Sequence, residues 1–428
     1  MSNTKHIYIH WPFCKNKCSY CDFTSFANSE EYQKDYCDAL CNEIKNYYQN
    51  NVCEIETIFL GGGSPSLCPP DYLEKIIEVL DRSKKPFRLR QGFDGHVDRL
   101  MANGDNLGPD HPEEHGIVQR TMTGVSKGGF HRTDSNKQEI TIEANPFDIT
   151  EEKLILWKRL GINRLSIGIQ ILDSKILEKL NRRQTFKDVF FAMNVAPKYF
   201  DNISVDLILG LPGVSEKKWQ ETLDQIVKFP IKHVSVYFLT LYEKTPLCKL
   251  VKNGDVKLLS DDQLVDQYEK TVSFLSLNKF KQYEISNFAK KGYESIHNQA
   301  YWTYKPYIGF GLAAASFDGK KRFVNTKNLK NYVDCWLKHK SCDKKHDLVE
   351  ELTDEQMVLE QLMLGLRMNK GVDLHRMIYL LSRDKREKFL QNVSTLKSWS
   401  MVKEIKGKIF LTTRGITLES EIALKLLA

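Results

Sequence analysis

The sequence predicts an α/β protein, in which a partial (β/α)6 barrel precedes a small C-terminal winged-helix-like α+β domain. Short β-branched runs alternate with amphipathic helical stretches through the first 240 residues, which is the pattern of βα units and a parallel sheet. From about Leu352 the pattern changes to helical stretches followed by a hairpin. We therefore expect a barrel at 1–245, an extension of the barrel at 246–340 and a carboxyl-terminal domain at 341–428.

Six β-branched, apolar runs predict the strands of the barrel. They cover residues 7–10, 57–60, 139–143, 164–170, 204–209 and 233–240. Helical patterns between them cover residues 29–48, 71–82, 150–160, 173–180 and 215–228. In the third of these helices, Thr150 is a candidate N-cap residue and Gly161 a candidate stop.

The alternation of strands and helices ends after Thr240. A helix is predicted at 260–277, and the carboxyl-terminal domain is predicted to contain helices at 353–366, 373–381 and 386–399, a hairpin at 401–412 and a closing helix. Helices followed by a two-stranded hairpin are typical of winged-helix folds. DNA binding is not favoured, because a fold does not determine function and the stretch 386–399 is not notably basic.

One segment does not fit the barrel pattern. Residues 84–137 are rich in Gly, His, Asp and Arg, and neither a helical nor a strand period is visible there. Since a loop of this length is unusual inside a compact domain, we interpret it as a surface insertion. The alternative is a lid that uses the histidines of the segment, which are His96, His111, His115 and His131.

Composition narrows the class of protein. The chain carries a formal charge of +7 over 428 residues and contains no uncharged apolar run of the ~20 residues that a membrane helix needs. No signal-peptide core is visible, so we expect a cytoplasmic protein whose cysteines are thiols or thiolates. Cys37 and Cys41 lie four residues apart in a helical pattern and are interpreted as packing residues. The mild charge permits a peripheral membrane contact, whereas no basic patch indicates nucleic-acid binding.

The most specific motif lies in residues 8–23, where Cys14, Cys18 and Cys21 follow the first strand with C-x3-C-x2-C spacing. Three thiolates at this spacing can bind three irons of a [4Fe-4S] cluster and leave the fourth iron without a protein ligand. A vacant iron can take the amino and carboxylate groups of S-adenosylmethionine (SAM). The spacing, with Tyr20 before the last cysteine, resembles that of radical-SAM proteins. A structural zinc site is the main alternative, but zinc usually takes four ligands and no second ligand pair follows nearby.

Polar residues follow or close several apolar strands. Gly63 and Ser64 lie in GGGSPS, where consecutive glycines let the backbone approach a ligand, and Glu143 and Gln170 close the third and fourth strands. The remaining candidates are Arg182 and Asp206. Because reactive groups of parallel barrels lie at the carboxyl ends of the strands, these residues are candidates to bind SAM. Each of them taken alone fits a helix cap, a tight turn or a buried salt bridge equally well.

Taken together, the motifs resemble those of the oxygen-independent coproporphyrinogen III oxidase (HemN-like) family of radical-SAM proteins, and within it the HemW-type heme chaperones. The motifs are YIHWPFCxxxCxYCxF, LGGGSPS, EITIEANP, RLSIGIQ, LNRRQ, VDLILGLPG, HNxxYW and LTTRG. They extend over nearly the whole chain except the segment 84–137. The resemblance implies a radical-SAM partial (β/α)6 barrel with a small HemN-like carboxyl-terminal domain.

The resemblance also implies a role for each matching residue. The cluster ligands would be Cys14, Cys18 and Cys21. The SAM pocket would be lined by Tyr8, Tyr20, Gly63, Ser64, Glu143, Gln170, Arg182, Asp206 and Thr240. Heme would bind at HNxxYW, which consists of His297, Asn298, Tyr301 and Trp302. There a neutral imidazole would ligate the iron and two aromatic rings would cover the macrocycle; the alternative is that this motif packs the bottom of the barrel.

Two departures from the oxidases favour the chaperone branch. Phe23 occupies the place of a fourth cysteine, and only thirteen residues precede Cys14. A further departure concerns the family as a whole, since GFGLAAAS has Ala315 where a histidine is usual. Contacts of SAM or substrate at that position are therefore left open.

We predict a heme chaperone that binds a [4Fe-4S] cluster, SAM and heme or another porphyrin, and delivers heme to an acceptor hemoprotein such as a respiratory protein. The alternative is an oxygen-independent coproporphyrinogen III dehydrogenase, which would use SAM in the oxidative decarboxylation to protoporphyrinogen IX. A third class is a redox or zinc-bound interaction module without catalytic activity.

Overall fold

The computed structural model describes residues 4–51, 54–82, 138–338 and 345–428. The predicted insertion at 84–137, with its four histidines, lies outside the described residues. The strands are β1 His6–Trp11, β2 Phe13–Cys14, β3 Phe26–Ala27, β4 Thr57–Gly62, β5 Glu139–Ala144, β6 Arg164–Gln170, β7 Asn202–Leu209, β8 His233–Phe238, β9 Lys281–Gln282, β10 Asn287–Ala289, β11 Tyr307–Phe310, β12 Ala315–Phe317, β13 Lys321–Asn325, β14 His346–Glu351, β15 Val372–Asp373, β16 Val402–Ile405 and β17 Lys408–Leu411.

The helices cover the outer side of the sheet and form most of the carboxyl-terminal domain. They are α1 Gln33–Asn50, α2 Pro70–Arg82, α3 Glu151–Arg159, α4 Ser174–Lys179, α5 Phe186–Val195, α6 Glu216–Ile226, α7 Pro246–Lys252, α8 Asp261–Leu277, α9 Ile296–Trp302, α10 Leu329–Leu337, α11 Asp354–Leu366, α12 Leu374–Leu380, α13 Arg383–Ser398, α14 Thr413–Ile416 and α15 Glu419–Leu427. None of the helices in the described part of the chain combines the length and apolar character needed to span a membrane.

Six parallel strands form the centre of the molecule, in the order β1-β4-β5-β6-β7-β8. The order of the described strands is linear, so the barrel is open. Strand β11 pairs in parallel with β1 and continues into antiparallel β12, β13 and β14, while β10 and β9 extend the sheet beyond β8. The predicted partial (β/α)6 barrel is confirmed, and the six added strands β9–β14 were not predicted.

Apolar and chamber-lining residues alternate along the central strands, and this alternation explains how the barrel forms. Ile58, Leu165 and Val205 belong to the hydrophobic core, and each is at most 4% exposed. Residues of the opposite parity, such as Glu143 and Ser166, line an internal chamber. Since successive side chains of a strand point to opposite faces, each strand contributes to the core and to the chamber at once.

Local sequence signals set the helix ends. Thr150 accepts a hydrogen bond from the Lys153 backbone N–H at 3.3 Å, and Gly161 has a positive φ of 82°, so the predicted cap and stop of α3 are confirmed. Helix α5 was not predicted, although Thr185 and Asp188 form a capping box at its start. Its many phenylalanines obscure the helical period, since some of them face solvent.

The carboxyl-terminal domain has its own hydrophobic core, formed by residues between 358 and 427. The predicted hairpin is confirmed as β16 and β17, and β15 joins it as a third strand in the order β15-β17-β16. The winged-helix-like prediction is confirmed. Cys37 and Cys41 are each 1% exposed in the core, as predicted for packing residues.

Arg367 connects this domain to the barrel extension. Its guanidinium lies 3.3 Å from Oε2 of the fully buried Glu284, 3.7 Å from Oε2 of Glu419 and 4.7 Å from the ring centroid of Trp302. Burial raises the pKa of Glu284, and the charge of Arg367 opposes that rise. The buried carboxylate therefore depends on one arginine from the neighbouring domain.

We expect Arg367→Met to lower the free energy of unfolding by about 3 kcal/mol, because it leaves a buried carboxylate without its counter-charge. Urea unfolding monitored by circular dichroism measures the change. Lys252→Met is the matched control, since Lys252 pairs with Glu243 on the surface and its loss should cost less than about 1 kcal/mol. Equal losses in the two variants would contradict the importance of the buried pair.

Candidate functional site

The three predicted cluster cysteines follow β1 closely, since Cys14 ends the short strand β2 and Cys18 and Cys21 lie in the loop after it. Cys14, Cys18 and Cys21 are free thiols, and all three line the same chamber, whose volume is about 580 Å³. The loop is held by a bond from the Cys21 N–H to the Cys18 carbonyl at 3.1 Å and by one from the Ser19 N–H to the Leu180 carbonyl at 2.9 Å. The chamber is of the size that small-molecule sites usually have.

Hydrogen-bond donors point at two of the sulfurs. Ser64 Oγ donates to Cys14 Sγ at 3.6 Å, and Arg182 Nη1 donates to Cys18 Sγ at 3.7 Å. Burial raises the pKa of Cys14 and of Cys21, so positive charge is needed to hold these thiols as thiolates. Three thiols with donors directed at them fit a [4Fe-4S] cluster, in which each thiolate binds its own iron. Among the described residues, no three His, Cys, Asp or Glu side chains form a group that could hold a single metal ion.

The glycine turn after β4 packs against the cluster loop. The Gly63 N–H donates to the Trp11 carbonyl at 2.7 Å, and the Ser64 N–H donates to the Phe13 carbonyl at 3.0 Å. A Cβ atom at Gly63 would lie 2.8 Å from the carbonyl carbon of Pro12 and 3.0 Å from Cys14 Sγ. Only glycine therefore allows the backbone to come this close to the sulfur.

Arg182 joins the cluster loop to the rim of the barrel. Its Nη2 donates to the Gly168 carbonyl at 2.6 Å and to Asn145 Oδ1 at 3.0 Å, and its Nε donates to Gln184 Oε1 at 2.8 Å. Its Nη1 also lies 3.4 Å from the hydroxyl of Tyr20. These bonds fix the guanidinium in one position beside the sulfurs.

Sequence reasoning missed three residues of this network, namely Asn145, Gly168 and Gln184. Asn145 and Gln184 are part of the motifs EANP and LNRRQ, which could have pointed to them. Gly168 is part of the motif RLSIGIQ, and its importance is steric. A Cβ atom there would lie 2.8 Å from Arg182 Nη2.

Two carboxyl groups lie deeper in the chamber. Glu143 Oε2 accepts a hydrogen bond from the Gly62 N–H at 3.2 Å, and Asp206 Oδ2 accepts one from Ser166 Oγ at 2.9 Å. Burial, together with the charge of Asp206, raises the pKa of Glu143 to about 8, and burial also raises the pKa of Asp206. Asp206 Oδ1 is buried without a hydrogen-bond partner. An ionised carboxylate at either position would be stabilised by a cationic ligand, which fits the sulfonium and amine of SAM.

The structure brings together all the predicted SAM residues except one. Those that line the chamber are Tyr20, Gly63, Ser64, Glu143, Gln170, Arg182, Asp206 and Thr240. Tyr8 is not part of the chamber wall, because it lies below Gly61 and its hydroxyl hydrogen-bonds His10 Nδ1 at 3.0 Å. Gln170 has a positive φ of 66°, a conformation that turns the chain out of β6 at the rim.

The HNxxYW motif forms helix α9, which packs at the amino-terminal end of the barrel strands. His297 is 1% exposed, and its two ring nitrogens hydrogen-bond Thr57 Oγ1 at 2.7 Å and the Tyr301 hydroxyl at 2.9 Å. Burial lowers the pKa of His297 to about 3, so the ring is neutral. At the start of the helix, the Ile296 and His297 N–H groups donate to the Glu139 carboxylate at 3.2 and 3.0 Å.

The other members of the motif face different surroundings. Asn298 lines the chamber together with the cysteines and the predicted SAM residues. Trp302 lies under Arg367, and its Nε1 has no hydrogen-bond partner. The motif therefore joins the floor of the barrel, through Asn298, to the domain interface, through Trp302.

The raised pKa of Glu143 predicts a pH dependence of stability. A carboxyl whose pKa is higher in the folded state stabilises the fold below pH 4.5, and this stabilisation is lost as the pH rises towards 8. Between pH 6 and pH 8 we expect the wild type to lose about 1–2 kcal/mol relative to Glu143→Gln, since one pKa unit corresponds to about 1.4 kcal/mol. Urea titrations of the ligand-free proteins at both pH values measure the difference. The exposed Glu178→Gln should show no such change, and an equal effect in both variants would contradict the prediction.

Comparison with protein families gives two matches. Residues 8–226 match the radical SAM superfamily, and residues 352–418 match the HemN C-terminal domain. The first match contains the cysteine loop and the strands up to β7, and the second lies in the domain with the separate core. Both matches agree with the fold described above.

Several curated proteins are similar over most of the chain. "Heme chaperone HemW" of Bacillus subtilis (strain 168) is 31% identical over 420 residues, which are 98% of this chain and 98% of that protein. "Heme chaperone HemW" of Synechocystis is 31% identical over 85% of this chain and 78% of that protein. "Radical S-adenosyl methionine domain-containing protein 1, mitochondrial" of Danio rerio is 28% identical over 86% of this chain and 73% of that protein.

Among solved structures, coproporphyrinogen III oxidase (HemN) of Escherichia coli, described as a radical SAM enzyme, superposes with a TM-score of 0.76. The superposition covers 100% of this chain and 91% of that one at 19% sequence identity, so it shows a common fold. The superfamily implies a [4Fe-4S] cluster and SAM, and the donor set around the three cysteines fits both. The chain belongs to the radical SAM superfamily and, within its HemN-like branch, to the HemW family.

Proposed function

We propose that this protein is a heme chaperone, which holds a cluster and SAM in the chamber, binds heme and passes it to an acceptor hemoprotein. One observation carries the proposal: the chamber that contains the three cysteines also contains Asn298 of the HNxxYW motif. The similarity to heme chaperones along the whole chain supports it. We place the transfer in the cytoplasm as part of the proposal, because free cluster thiols need a reducing compartment.

Different residues of the chamber would bind the cluster and SAM. A cluster held by the three cysteines supplies an open iron for the amino and carboxylate groups of SAM and an electron for its sulfonium. Arg182 keeps positive charge beside the sulfurs, and the turn from Gly62 to Ser64 offers backbone groups at short range. Glu143 and Asp206 balance the cationic groups of SAM, so we expect SAM binding to favour their ionised forms.

We expect Cys18→Ser to abolish cluster assembly, since it removes one of the three proposed ligands. Iron and sulfide per chain, together with visible absorbance after anaerobic reconstitution, measure the loss. The control is Cys248→Ser, which removes a buried thiol outside the chamber and should keep the iron content of the wild type. Unchanged iron in Cys18→Ser, or zinc in its place in the wild type, contradicts the cluster assignment.

We propose that heme contacts the HNxxYW motif of α9. Both ring nitrogens of His297 are engaged in hydrogen bonds, so iron ligation at this residue requires one of these bonds to break. We expect the bond to Tyr301 to be the one that breaks, because Tyr301 lies on the same helix as His297.

Two variants test the role of His297. His297→Ala should weaken heme binding by tenfold or more if the imidazole ligates the iron, whereas Tyr301→Phe releases Nε2 from its hydrogen bond and should bind heme at least as well as the wild type. Absorbance titration with heme measures both, and thermal melting without heme separates binding from folding. Equal affinity of His297→Ala and the wild type would remove the histidine from the heme site.

The intact SAM-binding chamber also favours a second candidate function, the oxidative decarboxylation of coproporphyrinogen III. Phe23 in place of a fourth cysteine favours the chaperone instead. Because the two observations point to different functions, a direct assay is needed. Reduced, reconstituted protein is incubated with SAM and coproporphyrinogen III without oxygen. Formation of protoporphyrinogen IX and 5′-deoxyadenosine would reject a chaperone without catalytic activity.

A further inference from the structure

Arg164, the first residue of β6, carries a buried charge that has no direct ion pair among the described residues. It is 1% exposed and lines the chamber, yet its Nε and Nη1 atoms have no hydrogen-bond partner. Among the described residues, no carboxylate forms an ion pair with it. A buried guanidinium normally has hydrogen bonds and a counter-ion, because its desolvation is costly.

Burial shifts the pKa values of the ionisable groups around Arg164 towards their uncharged forms. The pKa values of His233 and His297 are lowered, first by burial and then by the charge of other groups, which include Arg164. Glu143 and Asp206, the nearest carboxyl groups of the chamber, have raised pKa values that burial causes. The charge of Arg164 opposes the rise in the pKa of both carboxyl groups.

The side chains that line the chamber around Arg164 are also polar, although a packed barrel interior would not need polar side chains there. Parallel barrels usually fill their interior with branched apolar side chains. Here Arg164, Ser166, Ser235 and Asn298 line an open space instead. Polar side chains around a cavity are typical of a binding site, in which a few polar groups orient a ligand.

Arg164 lies too deep to bind the carboxylate of SAM beside the cluster. It precedes Gly168 and Gln170 of the rim by four and six residues, which corresponds to about 13–20 Å along an extended strand. Arg182, whose guanidinium contacts Gly168 and Cys18, is the arginine at the level of the cluster. The chamber thus has a cation at each end. Arg182 at the mouth has hydrogen-bond partners on all three nitrogens, whereas Nε and Nη1 of Arg164 have none.

We propose that Arg164 is a carboxylate receptor on the floor of the chamber, and that it binds a propionate group of a tetrapyrrole with the help of Ser235 and Asn298. The identification of the carboxylate as a propionate rests on the proposed heme-chaperone function. The N–H groups of a guanidinium form charge-assisted hydrogen bonds to carboxylate oxygens, and Nε and Nη1 of Arg164 have no partner here. Asn298 then links the HNxxYW motif to the ligand directly, without a movement of His297.

Fluorescence titration of the reconstituted protein with coproporphyrin III, a soluble tetracarboxylate porphyrin, tests the proposal. Arg164→Gln should weaken binding tenfold or more, and Arg164→Lys should weaken it less. Arg183→Gln is the control, because it removes an exposed cation at the mouth of the same chamber and should change the affinity less than twofold. Equal affinity of wild type and Arg164→Gln overturns the receptor, as does an equal loss in Arg183→Gln.

Stability without ligand separates a receptor from a structural arginine. Arg164→Met should keep or raise the melting temperature of the ligand-free protein, because it removes an unpaired buried charge. A loss as large as that of Arg367→Met would show a structural role and overturn the proposal. A wild type that binds neither heme nor coproporphyrin III rejects the proposed function and the propionate with it, whereas a failure of this inference alone leaves tetrapyrrole binding intact in every variant.

Discussion

The structure depends on one constraint, the alternation of apolar and polar residues in six parallel strands. The outward aliphatic residues hold the helices, and the inward positions are free to carry serine, glutamate, aspartate and arginine. A barrel interior filled with aliphatic side chains would be more stable, but it would leave no space for a ligand. Burial of carboxyl groups such as Glu143 and Asp206 is the energetic consequence, and it raises their pKa values.

Helix α9 gives this chamber a floor. Glu139 binds the N–H groups at the start of the helix, and His297 packs on Phe59 with ring centroids 5.1 Å apart. The sequence left two roles open for this motif, heme binding and packing of the barrel bottom, and the contacts of His297 show that it closes the barrel. The two roles are compatible, because Asn298 faces the chamber while His297 holds the helix in place.

The two ends of the chamber differ in how far they are organised before a ligand binds. At the mouth, Arg182 has partners on all three of its nitrogens, so its position does not depend on a ligand. On the floor, Arg164 has two nitrogens without partners. An organised mouth suits a resident cofactor, whereas an unsatisfied floor suits a ligand that arrives and leaves, as the cargo of the proposed chaperone would.

The sequence alone determined the elements with a local cause. The cysteine spacing, the glycine turn at Gly63, the cap of α3 at Thr150 and the period of the central strands each depend on residues close together in the chain. Only the tertiary structure decided which distant side chains meet, since strand pairing places residues such as Arg182 and Asn145 in contact although 37 residues separate them. The burial of His297, the exclusion of Tyr8 from the chamber and the unpaired state of Arg164 belong to this second group, because desolvation and hydrogen bonding depend on neighbours that no local pattern specifies.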